Sequence, residues 1–194
     1  LPLGGLSSSS AVIIAFLAAL AKLNGIKLEQ QEMITIAQDA ENNYVGVSVG
    51  TLDQSCEVLC RKNHLLYLDT SDGSFELIPQ HEDMKPYKIA IAFSGIERTL
   101  AGSKYNMRVD EAKSAAYALK AYAGLEYGKF NETRLRDIPV AIYHEYESRL
   151  PDPWRKRAEH YFTEVDRVQR GVEAWRRGDI ETYGKLSFES GHSS

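Results

Sequence analysis

The opening stretch constrains this chain most. In Pro2-Leu3-Gly4-Gly5-Leu6-Ser7-Ser8-Ser9-Ser10-Ala11, two glycines run into four serines and the serines into an apolar segment. Gly4 and Gly5 let the backbone take conformations that a side chain forbids, and serine is favoured where a helix begins. Behind them Ile13, Phe16, Leu17, Leu20 and Leu23 recur with the period of one helix face. An amphipathic helix with that stripe inward is expected, stopping at the Asn24-Gly25 pair. Its first turn would offer N–H groups and the positive end of the helix dipole, a setting that suits a phosphate. A serine hydroxyl there can also ligate a magnesium ion carried by a nucleotide. Two plainer readings compete. The serines could simply cap a core helix, and on this stretch alone capping and phosphate binding weigh the same. The apolar run 11–21 could be a signal-peptide core, but no basic segment stands before it in these residues, no strong small-residue cleavage site follows it, and it is too short to span a bilayer. No Gly-Lys-Ser/Thr follows the glycines, so this is not the P-loop pattern.

The rest of the composition is that of an ordinary globular chain. Its 194 residues are 43% hydrophobic and 26% charged, enough for one large domain or two small ones. With a net charge of −4 and no basic stripe, nucleic acid is not an expected partner, nor is a membrane. Cys56 and Cys60 stand one helical turn apart, which suits two small side chains buried on one helix face in a reducing compartment better than a disulfide framework. The five histidines have no ligand spacing, so no zinc site is expected.

A second helix is expected over Leu28 to Asn43, with Leu28, Ile36, Ala37 and Ala40 inward. Asp39 and Glu41 fall in its last turn, where a carboxylate opposes the dipole at a cost of roughly a few tenths of a kcal/mol. A local rule broken without local gain points to a functional site, although an exposed carboxylate is the commoner case. Gly46 and Gly50 then bracket a short turn or strand, and Asp53 stands where a third helix begins. Aspartate there is most often a cap; the functional alternative is a carboxylate near an ion or a substrate hydroxyl. Strands are expected over 65–69, 75–79 and 87–93, the first two joined through Ser71-Asp72-Gly73. The polar segment 81–86 is a candidate boundary between lobes. A long loop over 94–108 precedes a helix to about Tyr122, and such loops are usually functional. Tyr105 could place its phenol in a cleft, or be a half-buried tyrosine with its hydroxyl in water. The remainder reads as helical: 138–150, a long helix with Ala158, Phe162, Val165, Val168, Val172 and Trp175 in one stripe, a break at Gly178-Asp179, and a short last helix holding Tyr183, Leu186 and Phe188.

Three blocks occur in a telling order: Gly5-Leu6-Ser7-Ser8-Ser9, then Ala40-Glu41-Asn42-Asn43-Tyr44-Val45-Gly46-Val47-Ser48-Val49-Gly50-Thr51-Leu52-Asp53-Gln54, then Glu97-Arg98-Thr99-Leu100-Ala101-Gly102-Ser103-Lys104-Tyr105-Asn106-Met107-Arg108. Together they resemble the galactokinase branch of the GHMP small-molecule kinases, and the resemblance runs from Pro2 to about His192. It implies an α+β, two-lobed fold, with a ribosomal S5 domain 2-like N-terminal lobe and a ferredoxin-like α+β C-terminal lobe, both incomplete in this chain. Residues 1–85 would be the C-terminal part of the ATP-binding lobe and residues 86–194 the N-terminal part of the other. By the same resemblance, Gly4, Gly5, Leu6, Ser7, Ser8 and Ser9 wrap the phosphates of ATP through backbone N–H groups. Ser8, with Ser7 and Ser9 as neighbours, gives a hydroxyl to Mg2+, and Glu41 is its carboxylate ligand. Asp53 is the catalytic aspartate at the sugar's anomeric hydroxyl. Gly50 meets the sugar through its backbone and Tyr105 through its hydroxyl.

These residue types suit phosphoryl transfer, which needs alignment and charge neutralisation more than covalent help. Magnesium takes few protein oxygens, and one aspartate can serve as base. The implied activity is ATP-dependent phosphorylation of galactose at its anomeric hydroxyl, in the cytoplasm, with the oligomeric state left open. The tail 156–164 and Gly184-Lys185-Leu186 resemble galacturonokinases, which makes the sugar acid the second reading. A non-catalytic sugar sensor is the third, disfavoured because Ser7 to Ser9, Glu41 and Asp53 all stand. The family's N-terminal sugar-gripping segment and C-terminal glycine-rich motif are not among these residues, so the chain by itself is expected to turn over no ATP.

Overall fold

The chain divides into two units, Leu1–Ser103 with Trp175–Gly178, and Lys104–Ala174 with Asp179–Ser194. The structure is a computed structural model and describes residues 6–46, 48–92 and 105–194. In the first unit, helix α1 (Ser8–Leu23), helix α2 (Gln30–Asp39) and helix α3 (Leu52–Leu59) pack on one another. Strands β1 (His64–Leu68) and β2 (Phe75–Pro79) follow as an antiparallel hairpin in which Leu66 faces Leu77. Gly73 takes φ +77° in its turn, where a side chain would be strained.

α1 stops where its sequence says. Asn24 caps it, Gly25 turns left-handed, and the Ile26 N–H reaches back to the Ala21 carbonyl at 2.9 Å. Its buried face differs from the expected stripe. Ser10 and Ala21 are buried, with Ile14 and Leu17 partly so, whereas Phe16, Leu20 and Leu23 are exposed. Small residues on the inner face let α1 lie close to its neighbours, and the bulkier stripe is left outward. α2 likewise buries Ile34 and Ala37 but exposes Ile36. It does not run regularly to Asn43: residues Ala40–Val45 form a π turn, closed by the Gly46 N–H on the Glu41 carbonyl at 3.1 Å. The expected third strand is absent from 87–92, and Phe93 lies outside the described residues; Ile89 and Ile91 are exposed. An alternating pattern becomes a strand only where a neighbour accepts its hydrogen bonds. The two cysteines are not both buried, since Cys56 is half-buried and Cys60, at the end of α3, is exposed; neither is in a disulfide. Burial and the neighbouring Cys60 push the Cys56 thiol up to about 11.

Trp175 belongs to this unit. It is buried, donates Nε1–H to the carbonyls of Ile78 and Pro79 at 3.2 and 3.3 Å, and meets Tyr87 edge-on. Beside it the Arg176 guanidinium pairs with Glu76 at 2.6 Å.

The second unit is helical: α4 (Tyr105–Tyr122), α5 (Val140–Tyr146), α6 (Trp154–Arg176, its last two residues counted with the first unit) and α7 (Ile180–Ser193). α4 begins at Tyr105, so the expected loop ends before it; its residues 94–104 lie outside the described residues. Ala115, Ala116 and Leu119 of α4 form a core with Leu135, Ile138, Tyr143, Leu150 and Ala158, and Tyr143 stacks on Phe162 with centroids 4.2 Å apart. Residues 147–149 tighten into a 3-10 turn rather than continuing α5. The α6 stripe is interrupted, with Ala158 and Val172 buried but Val165 and Val168 exposed. α7 is longer than expected; Asp179 caps it through the Thr182 N–H, Leu186 is buried and Phe188 is exposed.

α7 is tied to α6 through Glu164, which accepts from Ser190 at 2.7 Å and Arg167 at 2.8 Å. Burial pushes the Glu164 carboxyl up, but those two hydrogen bonds, together with the charges of Arg167 and His160, outweigh it and hold the group below its usual 4.5. A carboxyl depressed by folding stabilises above its unfolded value and loses that contribution as pH falls through its folded value. The difference in thermal midpoint between the wild type and Glu164→Gln should therefore be largest above pH 4.5 and shrink towards zero in stronger acid. Thermal melts across that range check it. Among the described residues, no helix is long and apolar enough to cross a membrane.

Candidate functional site

The serine turn, the π turn and the start of α3 meet at one side chain. Glu41 is only 3% exposed. It stands near the start of the π turn and meets side chains of α1 and α3, and such turns recur at functional positions. Its Oε1 accepts from the Ser9 hydroxyl at 2.6 Å, and its Oε2 accepts from the Ser10 hydroxyl at 3.0 Å and from Gln54 Nε2. A buried carboxylate needs such donors, and charge-assisted hydrogen bonds are the strong kind.

Ser7 occupies the left-handed region at φ 55°, ψ 27° and makes no side-chain cap bond. The capping role is therefore not taken up, although the helix begins here with the Ala11 N–H on the Ser7 carbonyl at 3.0 Å. Leu6 and Ser8 are exposed on this turn, and Gly4 and Gly5 lie outside the described residues.

The segment leading to α3 is held from both sides. The Val49 N–H donates to Asn42 Oδ1 at 2.9 Å, and Gln38 Nε2 donates to the Val49 carbonyl at 3.1 Å. Gly50 follows, exposed, and then Thr51, which occupies the cap position of α3. Asp53 is thus not the cap. It stands in the first turn, exposed to solvent, where the helix dipole favours a negative charge. Tyr105 belongs to the second unit and is 39% exposed at the start of α4.

Of the residues singled out from sequence, Ser9 and Glu41 are thus in direct contact, with Asp53 next in chain to a residue that touches Glu41. Two members of the cluster were not foreseen, Ser10 and Gln54. Both have a periodic signal in hindsight. Ser10, Ile14, Leu17 and Ala21 lie on one helix face, and stepping back four from Val58 and Leu59 lands on Gln54 and Ser55.

The donor set is one carboxylate with serine hydroxyls, and among the described residues no three His, Cys, Asp or Glu side chains gather as a metal cage. Hard oxygens in small number fit a magnesium ion that arrives with its other ligands already attached, and do not suit a soft resident metal.

Residues 1–61 match the family model described as GHMP kinases N terminal domain. Over 191 residues, 98% of the chain, it is 39% identical to a galacturonokinase from Arabidopsis thaliana, of which it covers 44%. Over 194 residues, its full length, it is 36% identical to a galactokinase from Thermotoga maritima, of which it covers 51%. The chain thus spans about half the length of the curated relatives it matches. Among solved structures, the crystal structure of Lactococcus lactis galactokinase complexed with galactose aligns with 98% of this chain and 47% of its own, at a TM-score of 0.77 and 24% identity. The fold is that of the galactokinase, an α+β arrangement in which this chain supplies helices and a small sheet.

Proposed function

We propose, on the premise that this chain belongs to the galactokinase branch of the GHMP kinases, that it carries the nucleotide and metal side of an ATP-dependent sugar 1-kinase. The observation that bears most weight is the buried Glu41, gripped by hydroxyls of the serine turn and by Gln54, the neighbour of Asp53. In this reading, the backbone of Gly4 to Ser9 receives the phosphates of ATP at the start of α1, where the left-handed Ser7 turns the chain. Glu41 and the exposed Ser8 hydroxyl hold the magnesium that accompanies the nucleotide, with Ser9 beside them. When bound, that ion offsets the charge building on the phosphate oxygens. Asp53 accepts the proton of the sugar's anomeric hydroxyl or orients it for in-line attack, while the Gly50 backbone and the Tyr105 hydroxyl position the sugar. Residues 1–85 would form part of the ATP-binding lobe and 86–194 part of the other. A cytoplasmic setting suits two cysteines that form no disulfide.

Galactose is the leading substrate because of the likeness to galactokinases. Galacturonate is the second, because the Arabidopsis thaliana galacturonokinase is 39% identical. Initial rates of ADP release by the full-length protein with magnesium and either sugar decide the order. Faster turnover of galactose is expected. A strong preference for the acid would reverse the order, and no ADP release with any hexose would overturn the kinase reading.

A further inference from the structure

Among the described residues, Gln54 is a buried side chain with an unused polar atom. It is 0% exposed, it donates Nε2 to Glu41 Oε2, and its own Oε1 takes no hydrogen bond from the described residues. An apolar residue of the same size would fill the space without an orphaned acceptor, so packing alone does not account for an amide here. The hydrogen bonds around Glu41 are also uneven. Oε2 receives both Ser10 and Gln54, whereas Oε1 receives Ser9, whose hydroxyl oxygen keeps lone pairs of its own.

The geometry points to Gln54 as a positioning residue: it anchors Oε2 so that Oε1, with the Ser9 hydroxyl, faces the metal of the nucleotide. This rests on the proposed reading of Glu41 as a metal ligand. It adds that the carboxylate is oriented from α3, by the residue next to Asp53, and not from the serine turn alone. The side that holds the metal and the helix that carries the proposed base then share one hydrogen bond. Partners that orient a metal ligand typically weigh about 10- to 100-fold in metal affinity when removed.

The test uses the full-length protein and Mn2+ in saturating ADP, followed by electron paramagnetic resonance, with Gln54→Met as the variant. Methionine keeps the volume, loses the donor and removes the orphaned acceptor, so the metal-free melting temperature should move little. Mn2+ affinity should fall about 10-fold or more, and the magnesium needed for half-maximal rate should rise in parallel, with the KM for sugar unchanged. Should that variant not fold, Gln54→Asn, which is shorter and cannot overpack, is read the same way. Mn2+ affinity equal to wild type in the folded variant overturns the inference, and so does a wild type that binds no Mn2+ with ADP. If the wild type phosphorylates no hexose while the Mn2+ series behaves as stated, the kinase reading falls and the positioning role of Gln54 remains.

Discussion

Asp53→Asn should lower the rate of phosphoryl transfer by about 100- to 10,000-fold, the range that a positioned acid or base commonly contributes. The amide keeps the shape and the ability to accept a hydrogen bond, but it cannot take a proton at neutral pH. The fold should hardly notice, because Asp53 is exposed and Thr51 occupies the cap position of α3. The loss is expected in kcat with a smaller change in KM for the sugar, read by ADP release alongside a thermal melt. Unchanged ATP consumption in a folded variant would remove Asp53 from the proton's path.

Trp175→Ala carries the largest expected cost to stability. The ring is 5% exposed, meets Tyr87, and bonds the carbonyls of Ile78 and Pro79 at the end of β2. Truncating a buried tryptophan typically costs about 3–5 kcal/mol, and here the hairpin also loses its donor. Trp175→Phe separates the two contributions, since it retains most of the packing and gives up the N–H; it should cost about 1 kcal/mol to 2 kcal/mol. Urea unfolding followed by circular dichroism measures both. Equal losses in the two variants would mean that the hydrogen bonds, not the ring, hold the hairpin.

Much of the local structure could be read along the chain, because it depends on near neighbours. Asn24-Gly25 stops α1, Asp72-Gly73 turns the hairpin, Gly178-Asp179 separates α6 from α7, and each does so with backbone angles or caps that its own residue type favours. Faces and edges were less legible. Phe16, Leu20 and Leu23 have the right period for a core stripe but are exposed, and 87–92 alternates like a strand without pairing. Periodicity states that a face exists, not which neighbour covers it.

The site divides in the same way. The sequence by itself marked the serine turn, Glu41 and Asp53 as local oddities and left capping or a plain exposed carboxylate open beside a ligand role; what singled out Ser9, Glu41 and Asp53 as site residues was the resemblance to galactokinases. Only the tertiary structure decided that Glu41 is buried, that Ser10 and Gln54 grip it, and that Thr51 rather than Asp53 begins α3. Those outcomes turn on the closeness of three helices. That closeness is a sum over distant residues, and no single stretch of the chain carries it.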